Sequence, residues 1–151
     1  MTVCRCHLTT GRVRGLVERW YLALDEHRDP GELAELLAHA GLVLKFPGRV
    51  VHGGAEFTEW YDEVTTTYFD ESRVVERIAV RLTSPLHAEV TTRINWQARM
   101  WEPPSARSRW VGYYWTEELS VVVQDDAPRI RTCTVTAPVP MRGSPRLALL
   151  E

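Results

Sequence analysis

Carboxylates, histidines and tyrosines set among apolar neighbours are the residues best suited to moving protons, and Glu117 is the clearest of them. In residues 110–123, alternation separates Val111, Tyr113, Trp115, Glu117, Leu119, Val121 and Val123 from Trp110, Gly112, Tyr114, Thr116, Glu118, Ser120 and Val122. The first set is the more apolar, so on a strand of period two it faces inward and takes Glu117 with it. A carboxylate desolvated between Trp115 and Leu119 suits a general acid or base. Two other placements stay open: an ion pair with an arginine such as Arg131, or a bulge that turns Glu117 outward. His52, just before Gly53 and Gly54 at a helix start, is the histidine best placed for proton transfer near neutral pH; a surface histidine at a turn is the alternative. Tyr21 offers a hydroxyl one helical step from Trp20, and Asn95 can position a water without itself taking a proton. Glu76 and Asp62 are weaker candidates, and no complete catalytic motif is present.

Other chemistries fit less well. Cys4, Cys6 and His7 have no second ligand pair at zinc spacing, so no metal is expected there. The run Asp25, Glu26, His27 and Asp29 reads as a solvated connection between helices, because neighbouring side chains on a helix do not converge. Three cysteines make no disulfide framework and favour a reducing cytoplasm. A net charge of −2, with scattered basic residues, gives no case for nucleic acid. No apolar run approaches the ~18 residues of a membrane span, and the first residues lack a long apolar signal core. No cofactor is implied.

These residues need a scaffold, and the chain's 151 residues, 44% hydrophobic, suffice for one packed domain. Residues Val13, Leu16, Val17, Trp20, Tyr21 and Leu24 fall at helical spacing behind a Thr9 or Thr10 cap. Asp29-Pro30-Gly31-Glu32 opens a second helix, with Leu33, Leu36 and Leu37 on its buried face and Gly41 as its stop. Short extended pieces at 42–46 and 50–51 precede a third helix over 55–68, which buries Phe57, Trp60, Tyr61, Val64 and Tyr68. Asp70-Glu71-Ser72 reads as a break. Long strands follow at 73–83, where Val74, Ile78, Val80 and Leu82 alternate as the apolar, inward set, and at 87–101, 110–123 and 129–137, so the sheet is expected to twist strongly. Residues 138–151 read as a tail after a single domain over 1–137. On residues 88–100 the apolar face is Val90, Ile94, Trp96, Ala98 and Met100, opposite Arg93, Asn95 and Gln97. Trp96 is taken inward, with a place at a dimer face left open. Residues 88–123 hold four of the six tryptophans, more aromatic surface than one strand pair needs.

Three helices among short strands, then a long meander, make an α+β chain. The stretches RWYLALDEHRD (19–29), LVLKFPGRVVHGGAEFTEWY (42–61) and PRIRTCTVTA (128–137) resemble the nuclear transport factor 2-like superfamily, over about residues 13–137. That resemblance implies a cone-shaped half-barrel: three N-terminal helices packed in a strongly curved antiparallel sheet around an apolar cavity, and a homodimer through the outer sheet face. It also implies where individual reactions would sit. The ketosteroid isomerase apparatus falls on Trp20, Phe46 and a position near Leu119, none able to act as its acid or base. The limonene epoxide hydrolase pattern meets Asn95 where it needs an aspartate, and residues 131–135 lack the carboxylate expected on the last strand there and in SnoaL-like cyclases. The Asp/His apparatus of scytalone dehydratase is not recognisable either. The expectation is a cofactor-independent cyclase, isomerase or dehydratase acting on a hydrophobic biosynthetic intermediate in the cytoplasm. Glu117 would be its acid or base, with His52, Tyr21 and Asn95 as helpers. Trp20, Phe46, Trp60, Trp96, Tyr113 and Trp115 would hold the substrate. The alternative is a non-catalytic ligand-binding or assembly protein of the same fold.

Overall fold

A computed structural model describes residues 6–150; Cys4 lies outside them. The first helix, α1 (Thr10–Asp25), is capped by Thr9, whose hydroxyl accepts the Arg12 N–H at 3.1 Å, and it buries Val13, Leu16, Val17, Trp20, Tyr21 and Leu24. The next, α2 (Pro30–Ala34), starts at the Asp29 cap and is short. It does not run to Gly41 because Leu36 and Ala38 give their backbone groups to Ile130 instead of to a helix. Leu37 thereby becomes a buried parallel bridge to Ile130. A hairpin of β1 (Val43–Phe46) and β2 (Arg49–His52) leads into α3 (Gly53–Thr67), which buries Phe57, Trp60 and Tyr61.

Four long strands complete the chain: β3 (Tyr68–Ser84), β4 (His87–Met100), β5 (Arg109–Gln124) and β6 (Ala127–Pro140). The sheet order is β2-β1-β6-β5-β4-β3. Every pairing is antiparallel except β1 on β6. Between β5 and β6, Asp125 and Asp126 both adopt positive φ, 52° and 57°, the geometry that matches a tight turn to strand twist. Helices α1 and α3 lie in the concave side, and one continuous core fills the space between them and the sheet.

Strand β3 decides which side chains enter that core. It begins directly after α3, and the expected break at residues 70–72 is a bulge within the strand, with a second near Glu76. Each extra residue reverses the inward–outward parity beyond it. Arg73 therefore pairs with Trp96, and Val75 with Ile94, on the concave side. Val74, expected inward, is 52% exposed. Glu76 is exposed and lies 3.9 Å from Arg93.

The chain after β6 folds back on its own subunit. Met141 N–H donates to the Gly112 carbonyl, and Gly112 N–H donates to the Ser144 hydroxyl at 3.0 Å, so both backbone groups of Gly112 are taken. A Cβ at residue 112 would stand 2.6 Å from Met141 Sδ and from the Trp110 ring; only glycine admits this approach. Leu147 and Leu150 then enter the core. Among the described residues no helix is long and apolar enough to cross a membrane.

Candidate active site

The concave side holds a cavity of about 80 Å³, smaller than the ~150 Å³ that takes up benzene in an engineered apolar core. Aromatic rings make much of its wall: Trp20 from α1, Phe46 from β1, Trp60 and Tyr61 from α3, Tyr68, Trp96 and Trp115 from the sheet. They pack against each other, with Phe46 stacked on Trp60 at 4.9 Å, Trp96 against Trp115 at 5.4 Å and Tyr68 edge-on to Trp96 at 5.2 Å. Leu147 and Leu150 close one side.

Two polar clusters interrupt this wall. The first is centred on Glu117, 5% exposed. Its Oε2 accepts the Trp115 indole N–H at 2.7 Å, and its Oε1 accepts the Tyr21 hydroxyl at 3.2 Å and the Cys133 thiol at 3.1 Å. Tyr21 Oη also shares a 2.8 Å hydrogen bond with buried Thr92 Oγ1. Burial, reinforced by the Glu117 charge, pushes the Tyr21 phenol up and the Cys133 thiol well up. Both therefore stay protonated as donors through the neutral range. Among the described residues no cation lies within ion-pair distance of Glu117, so the pairing with Arg131 left open above is not formed.

The second cluster is ionic. Arg73 Nη1 lies 2.7 Å from Asp25 Oδ1, and the Arg73 backbone N–H donates to Asp25 Oδ2 at 2.9 Å. The guanidinium also reaches Glu71 Oε1 at 3.4 Å, which accepts the Trp96 indole N–H at 3.0 Å. His27 Nε2 closes the chain with a short contact to Glu71 Oε2. Burial alone would lower Arg73, but Glu71 and Asp25 outweigh it and hold the guanidinium above its ordinary value. Asp25 is raised by burial against the pull of Arg73. Glu71 and Arg73 line the cavity together with Glu117.

No protein-family profile matches the sequence, and no curated protein does. Solved structures do. A candidate dehydratase of the nuclear transport factor 2-like family from Streptomyces avermitilis superposes with a TM-score of 0.70 at 20% identity, covering 91% of this chain and 97% of the other. A nuclear transport factor 2-like superfamily protein of Salmonella enterica gives 0.68 at 13% identity, over 85% and 90%. Hexachlorocyclohexane dehydrochlorinase LinA-type3 of Novosphingobium barchaimii gives 0.72 at 10% identity, over 91% and 92%. The chain has the nuclear transport factor 2-like fold.

Within that cone the expected site residues divide. Glu117 lines the cavity together with Trp20, Phe46, Trp60, Trp96 and Trp115, and Tyr21 stands behind it within hydrogen-bond reach. Tyr113 is buried, but its hydroxyl accepts the Leu147 N–H at 2.7 Å, so it holds the tail and is not part of the lining. His52 is misplaced by the sequence reading: it is the N-cap residue of α3, and its backbone N–H donates to Glu56 at 3.0 Å. That turns its ring, 64% exposed, to solvent outside the cavity, 3.7 Å from the same carboxylate. Asn95 is also corrected. It alternates with Trp96, so it lies on the opposite face of β4. There its amide donates to the Tyr113 carbonyl and the Met141 sulfur beneath the tail.

The ionic cluster escaped the sequence reading. Asp25 and His27, taken as solvated, join Glu71 and Arg73 across a chain separation of more than forty residues. One signal was available: Asp25 stands four residues after Tyr21, on the same helical face. The bulge that turns Glu71 inward left none.

Proposed function

We propose that this chain is a cofactor-independent enzyme acting on a small hydrophobic molecule in the cone's cavity. It moves a proton in a dehydration, isomerisation or cyclisation. The observation that carries this reading is Glu117: a carboxylate buried in an aromatic cavity, held only by neutral donors, so that its charge can change without breaking an ion pair. Tyr21 orients it. The aromatic walls exclude water and hold a reactive conformer, which supplies rate acceleration without further acid–base groups. Leu147 and Leu150 retreat to admit a ligand larger than the closed cavity. Solved neighbours named as dehydratase and dehydrochlorinase support an elimination-type reaction. We further propose a homodimer through the convex face, where Val74 and Val139 are each about half exposed.

The test is dehydration of a panel of β-hydroxy ketones, followed by enone absorbance, with wild type and Glu117→Gln. Turnover by wild type that Glu117→Gln loses, while it still unfolds cooperatively at a melting temperature lowered by only about 2–6 °C, is the expected result. Equal turnover by the two proteins contradicts the assignment.

A further inference from the structure

The charge balance of the cavity wall bears on what the site accepts. Glu71 on the wall and Asp25 behind it share the one guanidinium of Arg73, and Glu117 has no cation within ion-pair distance. Three carboxylates thus meet one arginine, a surplus of two negative charges when His27 is neutral. Taking a carboxylate out of water costs several kcal/mol even after relaxation, and here folding has already met that cost. Seven aromatic rings share the lining, and ring faces attract cations most strongly where water is excluded. One further group lacks a partner. The indole N–H of Trp60, a residue 7% exposed on the cavity wall, donates to nothing among the described residues.

We infer that the natural ligand is a compact organic cation, an ammonium-bearing molecule that also carries a hydrogen-bond acceptor. Its positive end sits against the rings beside Glu117 and its acceptor takes the Trp60 N–H. The cation gives Glu117 a direct counterion, whereas Arg73, held by Asp25, acts on Glu117 only from beyond ion-pair distance. The same surplus disfavours an anionic ligand. This rests on the cavity being the ligand site proposed above and narrows the hydrophobic molecule proposed there to one whose apolar body ends in a positive charge.

The full-length protein is titrated with choline and with 3,3-dimethylbutan-1-ol, which share shape and hydroxyl and differ in charge, with tryptophan fluorescence and calorimetry as readouts. Choline binds about tenfold more tightly or better. In Glu117→Gln that preference shrinks to about twofold, while binding of the neutral alcohol persists and reports an intact cavity. Glu71→Gln carries the same comparison should Glu117→Gln fail to fold. Equal affinities in the wild type, tighter binding of the alcohol, or binding of neither at millimolar concentration overturns the inference. Equal affinities would remove the charge preference alone, since the dehydration assay judges the acid–base role of Glu117 separately.

Discussion

The two polar ends of the cavity are built differently. At the Arg73 end both carboxylates reach a cation: Asp25 grips Arg73 at its guanidinium and its backbone N–H, Glu71 is shared with Arg73, Trp96 and His27, and α1 is thereby tied to β3. At the Glu117 end a single carboxylate is surrounded by an indole, a phenol and a thiol. A matched network resists change, because removing one member strands the others in a dry site. A carboxylate among neutral donors can gain or lose a proton with its surroundings intact. The first end is a clasp, and the second is where chemistry can happen.

The sharpest way to break that contrast is Arg73→Met, which leaves Asp25 and Glu71 buried without a cation. A loss of about 3–5 kcal/mol in urea unfolding is expected, and the deficit should shrink at acid pH as the stranded carboxylates take up protons. A loss under about 1 kcal/mol would mean that the network is wet and dispensable. Next in size is Leu147→Ala, at about 2 kcal/mol. It opens the cavity beside Glu117 and should strengthen binding of bulkier apolar ligands, measured by fluorescence titration.

Glu117→Gln is expected to cost only about 1 kcal/mol, since the amide still accepts the Trp115 N–H. Arg73→Met and Glu117→Gln measured side by side therefore test whether the ends differ as described. The smallest effect is alkaline. The Tyr21 and Cys133 protons are held above the ordinary values of 10.0 and 9.0. Their contribution is thus full below those values and is lost as pH rises towards the folded ones. Tyr21→Phe should flatten the fall in melting temperature above pH 10, and an unchanged slope would assign that fall to other groups.

Much of the architecture could be read from residue order, because apolar spacing of 3.6 and 2 is a local property. The α1 face, the α3 face and the inward set of β5 with Glu117 all follow from it. What depended on chain registration could not be read. Two bulges in β3 reversed the parity that placed Val74 inward and hid Arg73 and Glu71. The Asn95 side of β4 was settled only by the three-dimensional position of Trp96. His52 failed for a local reason, because its backbone fits the N-cap of α3 and its ring was assigned a role that geometry denies. The tail went unread because Leu147 meets Tyr113 only after Gly112 has allowed Met141 to pass.

The most direct measurement of the central claim is deuterium uptake, by NMR in deuterated water, at the carbon next to the carbonyl of a ketone bound in the cavity. Uptake is predicted with wild type and its loss with Glu117→Gln, while both proteins bind the ketone. Equal uptake by the two would contradict a proton-transferring role for Glu117.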